Sequence, residues 1–163
     1  MVSADTVALL ERGLQLGIPE PVIREQIIDC GKMVDAFVRG EPLFVLASEA
    51  GAGKTYVVGA AVREILRRLP QTTFYWVSLR KSLIKQIQND LKDYAVLERI
   101  VFDTYSGIGK HCQKLAPGSV AILDEAHTAK NPESKAGASA AKMIKESTMG
   151  MYVSATPWED PSG

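Results

Sequence analysis

Apolar positions recur along this chain with two different periods, and the switches between them mark out its elements. Over residues 3–16, Val7, Leu10 and Leu14 share one helical face and Gly17 stands just past the end, which predicts an amphipathic helix. After a break at Ile18-Pro19-Glu20-Pro21, apolar residues return at Ile23, Ile27, Cys30, Val34 and Phe37, a second helix over 22–39 closed by Gly40. From there the pattern alternates. A strand over 43–47 is followed by a helix over 54–69, whose core face carries Val58, Ala61, Val62, Ile65 and Leu69 before Pro70 ends it. Next come a strand over 73–78, a helix over 82–93, a short strand over 100–102 and a modest helix around 107–115. Pro117-Gly118 turns the chain into a strand over 120–124, followed by an alanine-rich helix over 133–146 and a last strand over 151–153. Strands alternating with helices predict an α/β fold, a three-layer α/β/α sandwich on a mainly parallel sheet. In such sheets ligands bind at the C-terminal ends of the strands.

Composition changes little in this picture. The 163 residues are 46% hydrophobic and 23% charged, which is ordinary for a globular α/β domain with a substantial core. Formal net charge is zero, so no global field draws the chain to a polyanion, and any such site must be a local patch. Cys30 and Cys112 form no C-x-x-C pair, which argues against a structural zinc site and for a reducing compartment. No signal-peptide pattern or membrane-length apolar run is present, so the expected setting is cytoplasmic or otherwise intracellular, with no membrane partner and no secretion.

The candidate chemistry lies in two stretches, each placed just after a predicted strand. Ser48-Glu49-Ala50-Gly51-Ala52-Gly53-Lys54-Thr55 has the strand–loop–helix setting in which a glycine-rich loop cradles phosphates. Backbone N–H groups from Ala50 to Thr55, backed by the dipole of the next helix, suit an anion. Lys54 is placed for the β- and γ-phosphates of ATP and the Thr55 hydroxyl for Mg²⁺. Ser48 departs from the usual first glycine of such loops. Further along, the apolar run Val120-Ala121-Ile122-Leu123 delivers Asp124-Glu125-Ala126-His127. Two adjacent carboxylates at the end of a buried parallel strand suit a Mg²⁺-dependent nucleotide hydrolase, with Asp124 toward the metal and Glu125 toward the attacking water. His111 has no motif around it and reads as a surface residue, while Met33, Met143, Met149 and Met151 read as core filling.

With the phosphate loop, Asp124-Glu125-Ala126-His127 and Ser154-Ala155-Thr156 in that order, the chain resembles the first RecA-like, P-loop domain of superfamily 2 helicases and translocases. The resemblance runs from about Pro21 onward, giving a RecA-like domain over 21–163 and a helical extension over 1–20, expected to pack on one edge of the sheet. It implies an ATP hydrolase that couples turnover to movement on DNA or RNA, with DNA favoured. Ser154, Ala155 and Thr156 then couple the ATP site to the nucleic-acid face. His127 either relays nucleotide state to that motif or is a packed histidine at a strand end. Arg24 and Gln26 resemble the upstream element that contacts adenine, where an amide can donate and accept at once.

Arg80 and Lys81, at a strand end and helix start, and Thr104-Tyr105-Ser106 after the third strand, resemble the family's nucleic-acid-contacting motifs. Thr128-Ala129-Lys130-Asn131, followed by Ser134-Lys135 and Gly137, resembles the strawberry-notch-type and Swi/Snf-like side of the superfamily. The family completes its ATP site with arginine fingers from a second RecA-like domain, so the chain alone is expected to be a monomer with little turnover. The rival readings are a nucleotide-dependent interaction module and a P-loop ATPase of another lineage, to both of which nucleic acid is irrelevant. Convergence of Arg80, Lys81, Lys110 and Lys114 on one face would discriminate the motor from both.

Overall fold

Among the described residues, five strands pair into one sheet in the order β1-β5-β4-β2-β3, and every pairing is parallel. They are β1 (Leu43–Ala47), β2 (Phe74–Ser78), β3 (Ile100–Thr104), β4 (Val120–Asp124) and β5 (Met149–Ser154). The computed structural model describes residues 1–47, 53–108, 115–125 and 135–154. Within those residues lie helices α1 (Ala4–Glu11), α2 (Glu20–Val38), α3 (Lys54–Arg68), α4 (Lys81–Asp90) and α5 (Lys135–Glu146). Of the helix expected around 107–115, residues 109–114 lie outside the described set.

Side chains alternate across the pleat and divide the core in two. Phe74, Trp76, Val120, Ile122, Met149, Met151 and Val153 pack with Met33 of α2, Val58 and Ile65 of α3 and Ile87 of α4. Val77, Ala121 and Leu123 face the other way and pack with Tyr105, Ile108 and, from α5, Ala140 and Met143. All five residues of β4 are buried, as a strand covered on both faces requires. No helix among the described residues is long and apolar enough to cross a membrane.

Several boundaries differ from expectation for identifiable reasons. The α2 helix starts at Glu20 because a proline is tolerated in the first turn, where its missing N–H has no partner to lose. It ends in a Schellman pair, with Glu41 N donating to Ala36 O and Gly40 N to Phe37 O, both at 3.0 Å, around Gly40 at φ 74°. The expected first helix divides into α1 and a 3-10 turn over Arg12–Leu16. There the buried Gly13 lies against Ile23, so close that an added Cβ would come within 2.7 Å of its Cδ1. The α4 helix stops at Asp90, and β3 continues to Thr104. β5 starts at Met149 and runs through Gly150, where a side chain would collide with Ile144 of α5.

Residues 1–16 do not simply line a sheet edge: α1 packs on α3 and α2, with Leu10 in the main core. Polar contacts fix it there. Asp5 pairs with Arg63 at 2.7 Å and with Arg67, and Arg12 pairs with Asp93 at 3.3 Å. Glu64, only 1% exposed on α3, accepts from the Ser3 amide at 2.8 Å and from its hydroxyl. Glu64→Ala is expected to cost about 1–3 kcal/mol in denaturant unfolding, because Ser3 at the start of α1 then loses its acceptor. Glu64→Gln, which keeps an accepting oxygen, should cost less; equal losses would place the effect in packing rather than in the hydrogen bonds.

Candidate nucleotide site

Two C-terminal strand ends supply the site. β1 ends at Ala47, just before the candidate phosphate loop in sequence, and β4 ends at Asp124, with Glu125 next. Gly53 caps α3 at φ 70°, so the first amides of the helix lack partners inside it and remain available to an anion. Lys54 and Thr55 stand on that first turn. Together with Asp124, Glu125, Leu83 and Ile87 they line a cavity of about 180 Å³.

Lys54 Nζ lies 2.5 Å from Glu125 Oε1 and 3.6 Å from Asp124 Oδ1. In a straight strand two consecutive side chains point to opposite faces, so one ammonium could not meet both. Glu125 resolves this with φ 54°, a left-handed conformation that ends the strand. A non-glycine residue held there stores about 1–2 kcal/mol, so the surrounding contacts must hold it.

Asp124 is 8% exposed, and burial, the largest influence, raises its pKa; Lys54 opposes that shift and Glu125 adds to it. Ser78, in phase with Trp76 on the α3 side of the sheet, donates through Oγ to Asp124 Oδ2 at 3.4 Å. Asp124 Oδ1 is buried without a hydrogen-bond partner among the described residues. An anionic oxygen without a hydrogen bond, in one cavity with Thr55 and Lys54, fits Mg²⁺, which takes one or two protein oxygens and leaves its other positions to water and phosphate. No cluster of three or more His, Cys, Asp or Glu occurs among the described residues, so the donor set is of that sparse kind.

Gln26 joins this group. It is 2% exposed, and its Nε2 lies where a Cβ on Gly53 would have to go. Gly53 is therefore constrained twice, by its positive φ and by the glutamine amide. Gly53→Ala is expected to cost about 1–2 kcal/mol of backbone strain and to displace Gln26, lowering both the unfolding midpoint and Mg-ATP affinity. Paired melting and calorimetry on that variant would check this, and a shift in neither would mean that the loop relaxes at no cost. Arg24 is not brought to the group: it is exposed and paired with Glu20 at 2.8 Å.

The nucleic-acid candidates divide. β2 and β3 end side by side, with Ser78 in register with Thr104, so Arg80 and Lys81 flank the same sheet edge as Ser106, and all three are exposed. Thr104 is buried, with its Oγ1 3.1 Å from Ser106 Oγ. Tyr105 is turned inward, and its hydroxyl donates to the Asp124 carbonyl oxygen at 2.7 Å. Ser154 is 2% exposed at the end of β5, in register with Ala47. Glu49, Ala50, Gly51, Ala52, Lys110, Lys114, His127, Ala155 and Thr156 lie outside the described residues. The inner roles of Ser78 and Tyr105 escape motif reading, although the alternation Phe74-Trp76-Ser78 already places the serine on the Asp124 side.

Residues 22–99 match the family described as type III restriction enzyme, res subunit. The match stops before Asp124, so the carboxylate half of the site rests on geometry. Among solved structures, the fold is similar to a Sulfolobus solfataricus SWI2/SNF2 ATPase core in complex with double-stranded DNA, at a TM-score of 0.69 and 17% identity. That likeness covers 89% of this chain and 33% of the other, so the chain spans about a third of its length. No curated protein matches the chain. The structural likeness shows a RecA-like, P-loop type of α/β fold, and residues 22–99 are similar to the res-subunit family.

Proposed function

We propose that this chain is the ATP-binding motor domain of a nucleic-acid-dependent ATPase, a helicase or translocase for which DNA is the favoured track. The observation that carries the reading is the meeting of Lys54, at the N-terminus of α3, with Asp124 and Glu125, at the end of β4. A cation that can serve phosphates and a carboxylate pair that can serve metal and water are then within one cavity.

In this reading Lys54 holds the β- and γ-phosphates, with the amides of Glu49 to Thr55 around them. Thr55 and Asp124 hold Mg²⁺, which supplies charge neutralisation when bound. Glu125 orients the attacking water and accepts its proton. Gln26 reads the adenine edge, with Arg24 as its neighbour on the same helix. Arg80, Lys81, Thr104 and Ser106 form the nucleic-acid edge. His127, Ser154, Ala155 and Thr156 couple that edge to a second RecA-like domain. The family match supports the motor class, and the likeness to a SWI2/SNF2 core bound to DNA favours DNA and that branch. Residues 21–163 form the motor fold and residues 1–20 a helical extension of it, in a monomeric, intracellular domain.

Titration calorimetry of the chain with Mg-ATP, with and without duplex DNA, tests this. Binding of Mg-ATP and a change in its affinity on adding DNA are expected. Mg-ATP binding indifferent to DNA would favour a nucleotide-dependent interaction module, and no binding would sink the reading.

A further inference from the structure

We propose that Tyr105 is a positioning residue for Glu125, its hydroxyl fixing the peptide that holds the carboxylate in place. The inference rests on the nucleotide-hydrolysis reading and adds to it a residue outside the phosphate loop and the acidic box.

Three strand ends meet here in a closed set of contacts. The Tyr105 amide donates to Ser78 O at 3.2 Å, tying the end of β3 to the end of β2. Ser78 Oγ donates to Asp124 Oδ2, and the Tyr105 hydroxyl donates to Asp124 O at 2.7 Å, so the end of β4 is held through side chain and main chain together. The phenol ring is 6% exposed and packs in the cluster that contains Val77 and Leu123. Burial, then the charges of Asp124 and Glu125, push the hydroxyl pKa upward, so it remains a donor.

The Asp124 carbonyl belongs to the same planar peptide as the Glu125 amide. Fixing that oxygen fixes the plane from which Glu125 departs at φ 54°. From its other end Glu125 is held by Lys54 at 2.5 Å. Once Lys54 turns to phosphate that hold is shared, whereas Tyr105 lies away from the anion and keeps its contact. The hydroxyl therefore helps to hold that peptide plane, and with it the aim of the carboxylate, through the nucleotide cycle.

Tyr105→Phe removes one oxygen and leaves the ring in the core. In nuclear magnetic resonance spectra of this chain, the intraresidue amide–Hα Overhauser effect of Glu125 should be strong in the parent, as a positive φ requires. In the variant it should weaken, with the Asp124 and Glu125 amides shifting or broadening while the distant strand residues keep their positions. Ser78→Ala, which spares the carbonyl contact, should leave the Glu125 effect intact. An unchanged Glu125 signal in Tyr105→Phe would overturn the proposal, as would shifts spread evenly over the sheet, because those mean a merely structural role. Calorimetry on the same samples separates the two readings. Mg-ATP affinity should be equal in parent and variant, and if neither binds, the hydrolase reading fails while the Glu125 comparison still decides the role of Tyr105.

Discussion

Lys54→Ala is expected to abolish measurable Mg-ATP binding while leaving the protein folded. Among the described residues, Lys54 is the one cation lining the cavity that also holds Asp124 and Glu125. Its ammonium faces two carboxylates whose side chains are 11% and 20% exposed. Without it the same cavity presents Asp90, Asp124 and Glu125 to an incoming triphosphate, and attraction becomes repulsion. Loss of charge-assisted bonds to the phosphates alone is worth about 1.5–3 kcal/mol each, so affinity should fall by about two orders of magnitude or more. The fold should survive, because Asp124, whose pKa burial already raises, can relieve the unpaired charge by taking up a proton. Calorimetry gives the affinity and thermal unfolding the integrity. A folded variant with parental affinity would remove Lys54 from the phosphate role.

The second large effect is on turnover rather than binding. Glu125→Gln keeps the length of the side chain but removes its charge and its capacity to accept a proton. Mg-ATP should still bind, since Lys54, Thr55 and Asp124 are untouched and one negative charge near the phosphates is gone. Hydrolysis by the proposed motor should fall by about 10²–10⁴-fold, the usual worth of a positioned general base. Single-turnover hydrolysis in the presence of nucleic acid would measure it. A variant that turned over at the parental rate would show that another group activates the water.

Most of the fold is legible in the sequence because its elements obey simple periods. The buried run Val120-Ala121-Ile122-Leu123 and the β-rich run Phe74 to Ser78 could be little else, and both strands lie where the pattern puts them. Glycine and proline were harder to read. Pro21 marks a helix start rather than a break, and Gly150 belongs inside a strand. The apolar face that carries Leu10 is legible, but its docking on α3 and α2 is not. It depends on pairs such as Asp5 with Arg63 and Ser3 with Glu64, far apart in sequence and without a periodic signature.

The site divides in the same way. Residue types at fixed spacing point to Lys54, Asp124 and Glu125, and the structure brings these three together. Which way a side chain turns at a strand end is a matter of backbone torsion, and one-dimensional patterns carry little of it. Tyr105 reads as a surface contact in sequence and is an inward donor in the structure. The left-handed turn at Glu125 likewise has no signal in the residue types around it.

The strand order has a consequence for the order of events during synthesis. β5 is made after β1 and β4, yet it lies between them and pairs with both. While the growing chain stops short of Met149, the strand leading to Lys54 and the strand bearing Asp124 have no shared neighbour to set their spacing. The first of them then also has an unpaired backbone on the side that β5 will fill. Such long-range closure is slow and leaves strand edges open to other chains in the meantime. The candidate site of a nascent copy is therefore completed only once residues 149–154 have been made and have paired with both strands.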